Sequence, residues 1–188
     1  MMNSPSDRSN CILGINIGGT TCSVAIGTEA GKIFRHHRWS SEAHLGPQHM
    51  INHIVVEGWR LIRAFKGSIA RIGVAVGGPM DRNRGLVLSP PNLPGWDQVD
   101  LKSILSRSFC LPVKMEHDAA ACCLAETLWG HGRGKQRVAY LTCGTGFGVG
   151  LVFNGKPYYG AEGMSIELGH VQYRSKGPVK FGKEGCFE

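Results

Sequence analysis

Three apolar stretches open the chain, over residues 11–17, 21–28 and 31–38, each alternating or running apolar and separated from the next by a glycine-bearing turn. That pattern predicts three successive antiparallel strands. Over residues 47–65 the spacing changes: Ile51, Ile54, Val55, Trp59, Leu61, Ile62 and Phe65 recur at mostly helical intervals. "IARIGVAVGG" (Ile69 to Gly78) then reads as a buried strand ending in glycines, and "DLKSILSRSF" (Asp100 to Phe109) as a short helix starting on an aspartate cap. "LPVKMEHD" predicts another strand and "DAAACCLAETLWG" a helix stopped by Gly130. The order βββαβαβα is a mixed α/β layout.

After "GHGRGKQR" the pattern restarts. "VAYLTCGTGFGVGLVFNGKPYY" predicts a strand, a glycine turn, a second strand and a short third one, a second copy of the opening "GINIGGTTCSVAIG". Two lobes that each begin with strand, glycine turn and strand are implied, with the boundary near residues 112–137. The expected division is a disordered polar tail over 1–10, an N-terminal α/β lobe over 11–115, and a hinge helix with the first part of a second lobe over 116–188.

The two glycine turns carry the first candidate chemistry. Glycine lets backbone N–H groups approach an anion, so Gly18-Gly19-Thr20 and Gly144-Thr145-Gly146 can cradle phosphate oxygens. A single such turn is more often only a hairpin. Two copies at the starts of two lobes shift the reading toward a nucleotide held between the lobes. Asp118 follows a strand and opens a helix at the lobe boundary; it serves either as a helix N-cap or as a carboxylate that takes a proton from a substrate hydroxyl, and the two roles are compatible.

The loop-rich segment "VGGPMDRNRGLVLSPPNLPGWDQVDL" contains Asn92 and Trp96, an amide and a flat apolar face of the kind that recognises a sugar. Trp96 reads rather as a packing anchor, and Asn92 stands evenly between loop structure and ligand contact. Glu167 and His170, at i and i+3 in "GMSIELGHVQY", fall on one side of a helical turn, either as polar contacts to a hydroxylated ligand or as part of a metal site. Cys186 and Glu188 follow in "GKEGCFE"; one His and one Cys are too few for tetrahedral zinc unless other ligands join.

Composition narrows the classes. Hydrophobic residues make up 42% of the 188-residue chain, enough for one good core or two small lobes. Gly, Arg, Lys or His interrupts every apolar run before it spans a membrane, and "MMNSPSDRSN" lacks the apolar core of a signal peptide, so a cytoplasmic protein is expected. Seven cysteines, an odd number with no CxxC pair, read as reduced, buried thiols rather than a disulfide framework. The net charge of +7 is dispersed, and its densest group, His131 to Arg137, has no interleaved aromatics. That segment reads as a solvated connector, so small anions rather than nucleic acid are the expected partners.

Five motifs in order, "GINIGGTT", "GVAVGGPMD", "PNLPGW", "EHDAAA" and "LTCGTGFGVGLVFNGKPYYGAEGMSIELGH", together resemble the ROK family of sugar kinases and repressors, within the actin-like/hexokinase ATPase superfamily. The resemblance runs from about Gly14 to Glu188. It implies a ribonuclease H-like (actin-like ATPase) fold in which Asn16, Gly18, Gly19, Thr20, Thr21, Gly144, Thr145 and Gly146 meet ATP and its Mg²⁺. It further implies that Asp118 is the general base and that Gly78, Asn92, His117, Glu167, His170 and Glu188 surround the sugar.

Several positions depart from the family pattern. Asn16 stands where the family usually carries Asp, which keeps hydrogen bonding and removes a charge. His117 replaces the usual Asn before the catalytic Asp, and Ser165 and bulky Ile166 replace small residues before Glu167. Val179 and Phe181 match two cysteines of the family's zinc motif, so no structural zinc is expected. A family member also normally continues well past this point, with the further segment completing the second lobe and holding the adenosine. The leading expectation is an ATP-dependent sugar kinase, glucokinase-like and homodimeric; the alternative is a non-catalytic sugar-binding or regulatory ROK protein. A repressor is a weaker variant, since the ten-residue head is too short for a helix-turn-helix, and an actin-like ATPase without a sugar substrate ranks last.

Overall fold

The structure, a computed structural model, describes residues 8–144, 146–160, 166–177, 179–180 and 182–186. Two compact units divide the chain, one ending at His117 and the other beginning at Asp118.

In the first unit, β1 (Cys11–Ile17), β2 (Thr21–Gly27) and β3 (Ile33–Ser40) form an antiparallel meander. Helix α1 (Gly46–Ala64) returns the chain to β4 (Ile69–Val76), which pairs parallel to β1. Three two-residue strands, β5 (Met80–Asp81), β6 (Leu86–Val87) and β7 (Val99–Asp100), organise the segment that reads as loop from sequence. Helix α2 (Leu101–Phe109) then leads to β8 (Val113–His117), parallel to β4. The main sheet runs β3-β2-β1-β4-β8.

Alternation along the strands makes the sheet two-faced. Leu13, Ile15 and Ile17, with Val24, Ile26, Ile72, Val74, Val76 and Met115, are buried in one cluster with Met50, Ile51 and Ile54 of α1 and Leu101, Leu105 and Phe109 of α2. Each such side chain contributes about 1.5–3 kcal/mol on burial. Gly58 lets the two helices approach: a Cβ there would lie 2.6 Å from the Phe109 ring. The opposite face of β1, β2 and β4 carries small residues, Gly14, Ser23, Ala25, Gly73 and Ala75, around the exposed Asn16.

Helix α2 starts where its cap predicts, with the Asp100 carboxylate accepting from the Ser103 N–H. The third strand begins two residues later than the apolar pattern suggests. Thr28 closes a turn over Gly31 and Lys32 through its carbonyl and hydroxyl, and Gly31 takes φ +82. The polar head is tied down by residue 8, since Ser68 N–H donates to the Arg8 carbonyl and Asn10 N–H to the Ser68 hydroxyl. All seven cysteines are free thiols, but the expectation that they are buried needs correction: Cys110, Cys122 and Cys143 are exposed. Cys110 sits in the left-handed residue after α2, Cys122 on an outward position of α3, and Cys143 at the outward-facing end of β9.

In the second unit, α3 (Asp118–Trp129) packs on a hairpin of β9 (Arg137–Cys143) and β10 (Phe147–Phe153), extended by β11 (Lys156–Pro157). A short 3-10 helix, Leu168–His170, and the pair β12 (Val179–Lys180) and β13 (Lys183–Glu184) follow. No described helix is long and apolar enough to cross a membrane.

Candidate functional site

The first unit presents the carboxyl ends of three parallel strands side by side. Ile17 of β1 is in register with Val76 of β4, and Val76 with His117 of β8. Gly18, Gly78 and His117 therefore stand at the carboxyl end of the sheet, where ligands of open α/β sheets characteristically bind. Asp118 is the next residue of the chain.

The glycine turn between β1 and β2 is closed by the Gly18 N–H donating to the Thr21 carbonyl, 3.1 Å. Gly19 is in direct contact with the loop that carries Asn92: a Cβ at residue 19 would lie 2.5 Å from the Asn92 carbonyl oxygen and 2.8 Å from its Cβ. Two features expected at different parts of the site, the first glycine turn and Asn92, thus touch. The Asn92 loop is anchored by Leu93 and Trp96, both buried in the same cluster as Ile17 and Val76, which makes Trp96 a packing residue. Asn92 itself is exposed.

Alternation separates the other candidates. His117 is buried on the core face, in the row of Ile17 and Val76. Asn16 lies on the opposite face, in a row with Ser23 on one side and Ala75 and Glu116 on the other. Glu116 was not picked out by sequence reasoning. Its carboxylate accepts from the His117 N–H at 2.9 Å and stands 3.5 Å from the Arg82 guanidinium. The alternation of "KMEH" carried the signal that Glu116 and His117 face apart. Ser41 was also missed: it is buried, its hydroxyl donates to the Gly19 carbonyl at 2.6 Å, and its N–H donates to the Thr20 carbonyl at 3.0 Å.

In the second unit Asp118 is the first residue of α3, and its Oδ1 accepts from the Ala119 N–H at 2.7 Å. The helix start is pressed onto the glycines of β10: a Cβ at Gly150 would clash with the Ala119 carbonyl and lie 2.8 Å from the Cys123 Cβ, and one at Gly148 would touch Ala119 at 3.4 Å. Those glycines bring the head of α3 to the end of the hairpin where Gly144 and Gly146 form the second turn, closed by the Gly144 N–H to the Gly146 carbonyl, 2.9 Å. Among the described residues beyond its chain neighbours, nothing lies within 4 Å of a Cβ placed on Gly144. One turn on from Asp118, the Cys122 thiol hydrogen-bonds the Tyr140 hydroxyl; loss of solvent around the sulfur and then the Asp118 charge push the thiol up, and the thiol in turn pushes the phenol up.

Glu167 precedes the 3-10 turn that holds His170, and the His170 N–H donates to the Glu167 carbonyl at 3.2 Å. Cys186 is buried with its thiol 3.5 Å from the His170 carbonyl, and Val179, at a position matched to a family zinc ligand, is exposed. Thr145, Ser165, Phe181 and Glu188 lie outside the described residues.

These glycine turns, the strand-edge Asn92 loop and the helix-opening aspartate follow the order of one protein family, whose profile, "ROK family", matches residues 12–188. The chain belongs to the ROK family. It is 35% identical over 179 residues to the glucokinase of Thermotoga maritima, with 94% of this chain aligned to 56% of that one. It is 33% identical over 140 residues to the xylose repressor of Bacillus spizizenii, covering 74% of this chain and 35% of the repressor. Among solved structures, the ROK family glucokinase from Streptomyces griseus in complex with glucose and AMPPNP matches with a TM-score of 0.83 at 28% identity, covering 94% of this chain and 55% of that one. The ROK chain described here spans about half the length of the kinases it matches. Its fold is the actin-like ATPase fold of ROK kinases, as the motif order implied.

Proposed function

We propose that this ROK protein is an ATP-dependent sugar kinase of glucokinase type, with Asp118 as the general base. The observation that supports it most is the packing of α3 against Gly148 and Gly150, which keeps Asp118 at the turn end of the glycine hairpin. In this reading the sugar hydroxyl loses its proton to the Asp118 carboxylate while its oxygen bonds to the γ-phosphorus and the bond to the β-phosphate oxygen breaks. Gly78, Asn92, His117, Glu167, His170 and Glu188 orient the sugar. Gly18, Gly19, Thr20, Thr21, Gly144, Thr145 and Gly146 line the phosphates.

The donor set fits a nucleotide-borne Mg²⁺ rather than an all-protein cage: Asn16 offers an amide oxygen and Glu116 a carboxylate on the same face. When bound, the ion neutralises charge on the phosphate oxygens. The space that the described residues leave around Gly144 fits the approach of a phosphate to the second turn.

Replacing Asp118 by Asn tests the role. Sugar-dependent ADP formation is expected to fall by a factor on the order of 10²–10⁴, while calorimetric glucose binding persists. An unchanged rate refutes the assignment. Asn16 favours a second reading, a non-catalytic sugar-binding or regulatory ROK protein, because it removes a carboxylate beside the first turn. Glucose binding without ATP binding, and no ADP formation by the parent chain, would decide for it.

A further inference from the structure

Five of the eight histidines fall between residues 36 and 53, a stretch to which the kinase reading gives no task. Three side chains there converge. The Glu42 carboxylate stands 3.1 Å from the His49 Nε2, and one ligand atom from each of Glu42, His49 and His53 lies within 4.8 Å of the other two. We propose that Glu42, His49 and His53 form a binding site for a divalent transition-metal ion of the zinc class.

The ligand chemistry and spacing support this. His49 and His53 are i and i+4 on α1, the arrangement by which one helix face presents two imidazoles to a single ion. A carboxylate completes a two-histidine, one-carboxylate set that suits zinc and leaves the fourth position to water or another ligand. At Zn–N and Zn–O distances of about 2.0–2.1 Å, tetrahedral donors stand roughly 3.3 Å apart. The Glu42–His49 pair is already near that separation, and the His53 ligand atom lies within 4.8 Å of both. An exposed His–Glu ion pair contributes little to stability by itself.

The surroundings hold the ligands in position. Glu42 adopts a left-handed backbone, φ 49° and ψ 41°, uncommon for a residue with a side chain. It is held there between Ser41, fastened to the Gly19 and Thr20 carbonyls, and Leu45, whose N–H donates to the Glu42 carbonyl at 2.9 Å. That turn directs the chain back over the start of α1. The His53 ring rests on Trp39 at 5.0 Å, and Trp39 is stacked on His37 at 5.5 Å, so the outer histidine is supported from behind. Because Ser41 and Glu42 are adjacent, the ion would brace the segment that closes the first glycine turn.

Titration of untagged protein with Zn²⁺ in a calorimeter tests the site. One ion per chain is expected, with affinity falling at least tenfold in His49→Gln and in His53→Gln and unchanged in His131→Gln and His170→Gln. Binding that survives both His49→Gln and His53→Gln, or that His170→Gln abolishes, overturns the proposal. Ni²⁺ supplies a readout independent of those variants: the ion at this site quenches the fluorescence of Trp39, so Trp39→Phe is expected to remove most of the quench while Zn²⁺ still binds. A quench that persists in Trp39→Phe puts the ion elsewhere and refutes the site.

Discussion

Gly19→Ala and Gly144→Ala change the same kind of residue in matching turns, and the structure gives them opposite costs. At residue 19 the new Cβ meets the Asn92 carbonyl oxygen at 2.5 Å, whereas ordinary contact begins at 3.4 Å, so the two backbones must part by 0.9 Å. The Asn92 loop resists that shift: Leu93 and Trp96 are buried, and Ser89 N–H to Trp96 carbonyl and Leu93 N–H to Pro90 carbonyl bonds brace it at 3.0 Å each. Movement of residue 19 instead threatens the 2.6 Å Ser41 bond, worth about 1 kcal/mol. Overpacking of this kind costs about 1–3 kcal/mol. At Gly144 no heavy atom of the described residues beyond its chain neighbours lies within 4 Å of the added methyl, so the change is expected to stay within about 0.5 kcal/mol. Urea unfolding followed by far-UV circular dichroism, which reads the strands and helices of both units, measures the two costs. If Asn92 also holds the sugar, Gly19→Ala weakens calorimetric glucose binding as well. Equal unfolding free energies for the two variants would refute the contact argument, and intact glucose affinity in a destabilised Gly19→Ala would remove Asn92 from the sugar site.

Two further predictions concern pH. Burial pushes the Cys22 thiol up to about 11 from 9.0, with a hydrogen bond at Gly18 opposing the shift. The unfolded thiol ionises first, so this stabilisation is complete below pH 9 and about 3 kcal/mol of it is lost as pH rises from 9 to 11. Subtracting the pH profile of Cys22→Ala from that of the parent isolates this slope, and parallel profiles would contradict it. Asp100→Ala removes the cap of α2 and is expected to cost about 1 kcal/mol near neutral pH. The Ser103 hydroxyl and N–H hold the Asp100 carboxyl below its ordinary 3.8, so its contribution is present above that value and fades as pH falls through the lower, folded-state value. A parent–variant gap that is unchanged in strong acid would show that the carboxylate charge plays no part.

Local signals were legible and long-range ones were not. Strand alternation, the Asp100 cap and the repeated glycine hairpin are each written within a dozen residues, and each appears in the structure where its pattern stands. The late start of β3 was hidden because Gly31 and Lys32 extend an apolar-looking stretch that Thr28 in fact folds into a turn. The Gly19–Asn92 contact and the Ser41 anchor join residues distant in the chain, and no spacing announces them. His49 and His53 showed their helical spacing, but the left-handed Glu42 that turns a carboxylate toward them is a backbone choice that Glu does not advertise.

The row Asn16–Ala75–Glu116 illustrates why the missing carboxylate at residue 16 has to be judged in three dimensions. It forms only because β1 and β8 both pair parallel to β4, a pairing that depends on two crossovers rather than on any local pattern. Residues 16 and 116 are two strand spacings apart, roughly 10 Å between backbones. Over that separation a unit charge acts on another with about 0.4 kcal/mol in bulk water and about 1.7 kcal/mol at an effective dielectric of 20. Direct ligation or a hydrogen-bonded charge is worth more than that. Glu116 therefore cannot stand in for a carboxylate at residue 16: its charge is shared with Arg82 at 3.5 Å, and Asn16 leaves the row without a second negative point of attachment.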